Sequence, residues 1–300
     1  MLVIGSRGSK LALWQSEWVK ARLAERSIAA RIEIIKTTGD KITDVPLAKV
    51  GVKGLFTKEL EEALLAGDID IAVHSLKDMP TELPEGCELL AAPVREDPRD
   101  AIIGRPLAEI SIGGIVGTSS LRRTAQLLAV RPDLRVESLR GNLDTRLRKL
   151  DEGHFEAILL AAAGLERLGW AGRIAEQLPV EIMCPAVGQG ALAIEGRSND
   201  PSVYEMLQWF DDEPTRICVT AERTLLGALG GGCQVPIGAH ASLVDGKVQM
   251  ISIVAAPDGT QIIRRNGEAA PPDADKLALD LAAQLRAAGA EALLQAAGVS

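Results

Sequence analysis

Seven arginines crowd the stretch from Thr118 to Arg148, against three acidic residues and no lysine. Arg122, Arg123, Arg131, Arg135, Arg140, Arg146 and Arg148 face only Asp133, Glu137 and Asp144, a local positive excess in a chain of net charge −8. A planar guanidinium grips a carboxylate or phosphate through two parallel hydrogen bonds, which the point charge of lysine cannot do. The stretch therefore points to an organic polyanion. Arg122 and Arg123 follow Gly117-Thr118-Ser119-Ser120, a strand-to-helix turn whose small hydroxyl residues and unused N–H groups suit an anion. Arg122, Arg123, Arg140 and Arg146 each lie beside a turn or helix start and read as ligand-binding. Arg131, Arg135 and Arg148 fit a solvated basic face equally well.

Three other places carry groups that do chemistry. Asp78 stands just after the end of a strand, with Lys77 before it and Pro80 after it. Strand ends are where α/β proteins present functional side chains, and a carboxylate there can stabilise a developing cation or move protons. An ordinary turn aspartate is the competing reading. Cys233 follows three glycines and precedes Gln234-Val235-Pro236, which presents a thiol on an accessible loop. A thiolate there suits capture of a soft carbon electrophile, although most lone cysteines only pack. The segment from Lys41 to Lys58 sets Lys41, Lys49, Lys53 and Lys58 against Asp44, with Gly51 and Gly54 between them. Such a loop can close over an anion, or simply lie on the surface. Gly5-Ser6-Arg7-Gly8-Ser9 makes another turn after a strand, too short for a P-loop and lacking its Gly-Lys-Ser/Thr ending.

These groups need a scaffold. Leu2–Ile4 and Ile32–Lys36 read as strands around a helix that begins behind Ser9, with Leu11, Trp14, Trp18 and Ala21 at helical spacing. A helix from about Thr57 to Ala66 stops at Gly67, and Ile69, Ile71 and Val73 alternate as a strand leading into Asp78. Beyond Pro93 to Pro98 a second series follows. Its strands are Ile115–Gly117, Val136–Leu139 and Ala157–Leu160; its helices are Ser119 to Val130 and Leu143 to Leu150. This alternation predicts βα architecture with a largely parallel sheet. Ala191–Glu195 reads as a strand returning to the first domain, and two crossings make a hinge with a ligand cleft. After Asp211-Asp212-Glu213-Pro214 come a helix from Thr215 to about Leu229 and short strands with turns at Asp245-Gly246 and Asp258-Gly259. A last helix from about Asp273 to Ala288 completes a small α+β domain. The domains expected are 1–94 with 190–211, then 98–186, then 214–300, with no internal repeat.

Composition narrows the class. At 300 residues, with 47% hydrophobic and 25% charged residues, the chain supports two or three cores and is not disordered. The acidic balance argues against a nucleic-acid or membrane-surface binder. Met1-Leu2-Val3-Ile4-Gly5 lacks a basic leader, so no signal peptide is expected, and the run from Ala157 to Leu165 is too short to span a membrane. Cys87, Cys184, Cys218 and Cys233 form no CxxC pair, and His74, His154 and His240 are scattered. Reduced thiols in a cytoplasmic protein without a metal site are expected.

Eight stretches, in order, carry a resemblance. They are SRGSKLALWQ from Ser6, PLAKVGVKGLFTKEL from Pro46, DIAVHSLKDMPTELP from Asp70, REDPRDA from Arg95, GTSSLRR from Gly117, LRGNLDTRL from Leu139, PAVGQGALAIE from Pro185 and GGCQVPIG from Gly231. Together they make the chain similar, over nearly its whole length, to the porphobilinogen deaminase (hydroxymethylbilane synthase) family. The resemblance implies an α/β fold of two periplasmic-binding-protein-like βα domains with a hinged cleft, and a smaller α+β third domain. It implies a transferase of porphyrin and haem biosynthesis that releases ammonia from four porphobilinogen molecules and condenses them into linear hydroxymethylbilane. Its cofactor is a dipyrromethane joined by a thioether to the cysteine of GGCQ, here Cys233.

The same resemblance carries roles onto single positions. The catalytic aspartate falls on Asp78. Cofactor-binding positions fall on Lys77, Thr118, Ser119, Ser120, Arg122 and Arg123. Substrate-binding positions fall on Arg7, Ser9, Arg140, Arg146, Arg167 and Gln189, with Lys53 and Lys58 in the cleft loop. Every pyrrole ring brings an acetate and a propionate, so a growing chain accumulates the negative charge that the arginine excess requires. A monomer in the cytoplasm, with porphobilinogen as substrate and no nucleic-acid or membrane partner, is expected. Lys10 stands where proline is common in the family, and Gly230 where a charged residue is. Two other classes compete: a hinged binding protein that closes on a polyanion without chemistry, and a hydrolase using Cys233 with His74. Covalently bound pyrrole on the purified chain discriminates against both.

Overall fold

A computed structural model describes residues 1–41, 56–231 and 235–298. Strand β1 (Leu2–Ser6) leads into helix α1 (Lys10–Glu25), which starts where Ser9 Oγ accepts the Ala12 N–H at 3.3 Å. Strand β2 (Ala30–Ile34) and the short helix α2 (Thr38–Lys41) follow. Helix α3 (Lys58–Ala66) stops at Gly67, and β3 (Ile71–Ser75) ends in a single 3₁₀ turn, Leu76–Asp78. Strand β4 (Cys87–Ala91) precedes the Pro93 to Pro98 segment.

Beyond it run β5 (Asp100–Gly104), β6 (Ile115–Gly117), α4 (Leu121–Val130), β7 (Arg135–Glu137) and α5 (Leu143–Asp151). Then come β8 (Ala157–Ala161), α6 (Ala162–Arg167) and β9 (Ile174–Gln177). Strand β10 (Leu192–Arg197) and α7 (Pro201–Leu207) precede α8 (Glu213–Ala228). Three long strands, β11 (Ile237–Val244), β12 (Lys247–Ala255) and β13 (Ile262–Ala269), and two helices, α9 (Ala274–Ala287) and α10 (Ala290–Ala296), complete the described chain. Among the described residues no helix is long and apolar enough to cross a membrane.

The chain divides into two compact units, residues 1–96 with 191–216, and residues 97–190 with 217–298. Unit 1 contains a sheet in the order β2-β1-β3-β10-β4, and unit 2 one in the order β7-β6-β8-β5-β9. The strand–helix alternation predicts largely parallel sheets, and neither sheet is so. β1 pairs parallel with β2 and β3, while β10 runs antiparallel to β3 and β4. Likewise β6 pairs parallel with β7 and β8, while β5 runs antiparallel to β8 and β9. The parallel pairs are those closed by βα crossovers, which force parallel strands. The reversed strands, β10 and β5, are the first of their units after each linker, where no crossover helix fixes the direction. The two sheets thus share one pairing plan that leaves no trace as a sequence repeat.

Apolar residues of β1, β3, β4 and β10 pack with Val19 and Leu23 of α1 and with Val203, Leu207 and Phe210 to close one core of unit 1. In unit 2, Ile102, Val116, Leu127 and Leu159 fill one face of the sheet and Ile103, Leu147, Ile158 and Leu160 the other. The antiparallel β11-β12-β13 sheet has its own core with α8, α9 and α10. Its Asp258-Gly259 turn lies on α4. Gly259 has φ +74°, and a Cβ there would stand 2.6 Å from the Ala125 carbonyl oxygen and 2.9 Å from the Ala129 nitrogen. Only glycine allows that approach.

Candidate functional site

Strand β3 delivers its last residues to a pocket in unit 1. Arg7, Ser9 and Gln15 line it from the β1–α1 turn and α1, Phe56 and Thr57 from the start of α3, and His74, Ser75 and Asp78 from β3 and its 3₁₀ turn. Leu11, Ala12 and Val73 supply apolar wall. The turn is held in place by backbone: Leu76 N–H donates to Ala191 O at 3.0 Å, and Met79 N–H to Leu76 O at 3.1 Å. Buried Gln15 donates from Nε2 to Ser75 Oγ at 2.9 Å, which ties α1 to the strand end. The Arg7 guanidinium sits 4.2 Å from the Phe56 ring centre, a cation–π contact that orients its charge within the pocket. A carboxylate, a guanidinium and apolar walls thus share one concavity. This is what a small planar ring with an N–H and acidic substituents requires. Lys77 lies in the same turn as Asp78. Lys58 opens α3 at the surface, 3.7 Å from Glu62.

A second set assembles in unit 2 around a residue that local charge counting misses. Asp100 is fully buried at the start of β5. Its Oδ2 accepts from Arg122 Nη1 at 2.7 Å; its Oδ1 accepts from Arg123 Nη2 at 2.7 Å, from Arg123 Nε at 3.0 Å and from Gln189 Nε2 at 2.9 Å. Arg122 and Arg123 are themselves buried, and each also donates to a carbonyl, Cys184 O and Leu159 O respectively. Burial alone would raise the Asp100 carboxyl; the two guanidiniums outweigh it and hold the group well below the usual carboxylate range. One carboxylate against two guanidiniums leaves one positive charge at the N-terminus of α4.

The turn before α4 is equally well tied. Thr118 N–H donates to Glu137 O, Ser120 Oγ caps α4 by accepting from Arg123 N–H at 3.4 Å, and Ser119 Oγ donates to Leu139 O at 2.8 Å. Arg167 is buried at the end of α6 and donates to Gly190 O at 2.6 Å. Arg140 precedes Gly141, whose φ of +108° turns the chain into α5, and Arg146 donates from that helix to Gly141 O at 2.8 Å.

Other arginines of the basic stretch serve the fold. Arg131 binds Asp133 through Nε at 2.8 Å and Nη2 at 2.6 Å, and donates to Leu107 O and Ile110 O. Arg148 pairs with Glu152 at 3.0 Å, one helical turn along. Three cysteines, Cys87, Cys184 and Cys218, are buried. Burial, with Glu195 and Glu61 nearby, pushes the Cys87 thiol up to about 11, and burial pushes Cys184 up to about 12. Both are inert as nucleophiles at neutral pH. Lys53 and Cys233 lie outside the described residues; Cys233 falls on the chain between α8 and β11. Among the described residues no group of three or more His, Cys, Asp or Glu side chains is placed to hold a metal ion.

Comparison with known proteins adds an independent line. A family model described as porphobilinogen deaminase, dipyromethane cofactor binding domain, matches residues 2–205, and one described as porphobilinogen deaminase, C-terminal domain, matches residues 216–287. A porphobilinogen deaminase of Syntrophobacter fumaroxidans is 52% identical over 297 residues, covering 97% of this chain and 96% of that protein. A porphobilinogen deaminase of Brevibacillus brevis is 52% identical over 293 residues, covering 96% of this chain and 94% of that protein. The solved structure of an ABC transporter periplasmic substrate-binding protein from Coxiella burnetii is 12% identical with a TM-score of 0.45, covering 74% of this chain and 95% of that one.

Proposed function

This chain belongs to the porphobilinogen deaminase family, and from that premise we propose that Asp78 is its catalytic carboxylate and Cys233 the residue that carries its dipyrromethane. The enzyme is a transferase of porphyrin biosynthesis that deaminates porphobilinogen and condenses it stepwise into hydroxymethylbilane. When bound, the dipyrromethane would supply the pyrrole ring to which the first unit is joined, each later unit joining the ring added before it.

The residues in place suit such a group. A pyrrole ring offers an N–H donor and two carboxylates. Asp78 offers an acceptor for the first, and Arg7 a guanidinium for the second, in one pocket. The presence of both charges in one pocket, Asp78 after β3 and Arg7 after β1, is the observation that carries the proposal. A fixed carboxylate stabilises positive charge that develops on a ring when its aminomethyl group loses ammonia, because it is already oriented and needs no reorganisation. Arg7, held over Phe56, anchors an acidic side chain and so fixes the ring against Asp78. In unit 2 the Asp100-anchored pair Arg122 and Arg123, with Thr118, Ser119 and Ser120 at the start of α4, offers a preorganised site for acidic substituents. Arg140, Arg146, Arg167 and Gln189 extend the same chemistry, with Lys77, Lys58 and Lys53 as further cations and Ser9 as a hydroxyl donor.

Cys233 is the fourth cysteine; the other three are buried. The working form in this reading is a cytoplasmic monomer with domains at 1–94 plus 190–211, 98–186 and 214–300. A binding protein without catalysis accounts for the arginines and leaves Asp78 and Cys233 without a task. Incubation of the purified chain with porphobilinogen tests the proposal. Ammonia release that keeps pace with a linear tetrapyrrole is expected; tight binding without ammonia release would favour the binding protein.

A further inference from the structure

Behind the Asp78 pocket, unit 1 buries three ionisable side chains against one another. His74 of β3, Glu195 of β10 and Glu61 of α3 are 5%, 0% and 6% exposed. The β3–β10 register pairs His74 with Ala193, so Glu195, two residues on, projects from the same face of the sheet. His74 Nε2 and Glu195 Oε2 approach to 2.9 Å. The approach is close but poorly aligned: neither atom makes a hydrogen bond of good geometry among the described residues. The two polar groups are held in close, buried contact across β3 and β10. Glu61 reaches the pair from α3, which packs on β3, β10 and β4.

Burying two carboxylates beside one imidazole is costly unless each finds a compensating partner. Burial pushes the Glu61 carboxyl up, with the neighbouring Glu195 adding to the rise and Thr57 and His74 opposing it. Glu195 is the carboxylate in direct contact with His74. The Cys87 thiol, which faces both carboxylates from β4, is pushed up to about 11 and stays neutral. The charges of the neighbouring pocket are Arg7 and Asp78. The cluster is also next to the site in the chain. His74 lines the Asp78 pocket, and four residues later the 3₁₀ turn ends at Asp78. That turn hangs from the same two strands, through Leu76 N–H to Ala191 O.

We infer that His74 and Glu195 are positioning residues for Asp78: their buried cross-strand contact clamps β3 to β10 where the Asp78 turn leaves the sheet. This rests on the role proposed for Asp78. A purely structural pair would affect how much protein folds; a positioning pair affects the rate of each folded, cofactor-loaded molecule.

The test compares three single substitutions in holoenzyme, with kcat counted per covalently bound dipyrromethane. Glu195→Gln, which removes the charge facing His74, is expected to lower kcat about tenfold or more with KM unchanged within about twofold, because small misplacement of a catalytic group is costly to rate. Glu61→Gln, a near-isostere on α3 and outside the β3–β10 contact, is expected to keep kcat within about twofold. Glu195→Asp keeps the charge but shortens the reach, and is expected to fall between them; it also serves if Glu195→Gln does not fold. Equal kcat in Glu195→Asp and wild type, or equal losses in Glu61→Gln and Glu195→Gln, would overturn the inference. Wild-type protein that neither holds dipyrromethane nor turns over porphobilinogen would instead overturn the proposed function, and the inference with it.

Discussion

Asp78→Ala is expected to fold like the parent, load its dipyrromethane and lose turnover by about a hundredfold or more, the usual scale for removing a preorganised electrostatic group. The turn around Asp78 is built from backbone hydrogen bonds of Leu76 and Met79, and Asp78 is only half-buried, so its side chain contributes little to folding. The effect should fall on kcat, since the carboxylate acts where positive charge develops rather than where the acidic substituents are gripped. Asp78→Asn refines the expectation. It keeps size and hydrogen-bonding capacity but removes the charge, and should lose nearly as much rate. Circular dichroism and cofactor absorbance verify folding and loading, and a single-turnover assay reads the chemical step. A variant with near-normal kcat would remove Asp78 from the mechanism.

The second large effect concerns stability. Asp100→Ala would leave Arg122 and Arg123 buried with no carboxylate between them. Breaking a buried ion pair from one side costs about 3–5 kcal/mol, and here two guanidiniums lose their partner together. Denaturant unfolding of the variant is expected to show the loss in the transition of the unit that contains β5. The pH dependence has a definite sign. Asp100 is held below its ordinary value of 3.8, so its contribution is present above that value and is lost only as pH falls below it, towards the folded-state value. Acid should therefore weaken the parent more than it weakens Asp100→Ala. A variant that unfolds at the parent's midpoint would show that the arginines find other partners.

Much of this was legible in the sequence, and the misses share a cause. Ser9 and Ser120 cap helices, Gly67 stops one, and Asp245-Gly246 and Asp258-Gly259 turn hairpins, because caps and turns are set by two or three neighbouring residues. The place of Asp78 just after a strand was legible from the alternation of Ile69, Ile71 and Val73, whereas its catalytic role came only from the family resemblance. Strand direction was not legible: β10 and β5 carry the same apolar pattern whether they run parallel or antiparallel, and only their partners decide. Strands β4, β5 and β9 lie among prolines and charges that mask their period.

The net charge of the arginine stretch was not legible for the same reason. Counting charges within the stretch leaves out Asp100, which comes earlier in the chain yet binds Arg122 and Arg123. Arg131 and Arg148, for which a basic surface was an open reading, are held by Asp133 and Glu152. The buried cluster of His74, Glu195 and Glu61 draws on three separate segments. No local pattern announces it, although His74 and Glu195 both lie within stretches that carry the family resemblance.

The most direct test of the central claim is the intact mass of the purified chain, followed by a peptide map across Cys233. The account predicts a mass excess equal to two linked pyrrole rings, located on Cys233, that persists through rounds of turnover and is absent from Cys233→Ser, which should also be inactive. Turnover by a chain whose Cys233 thiol is unmodified, or whose pyrroles sit on another residue, would contradict it.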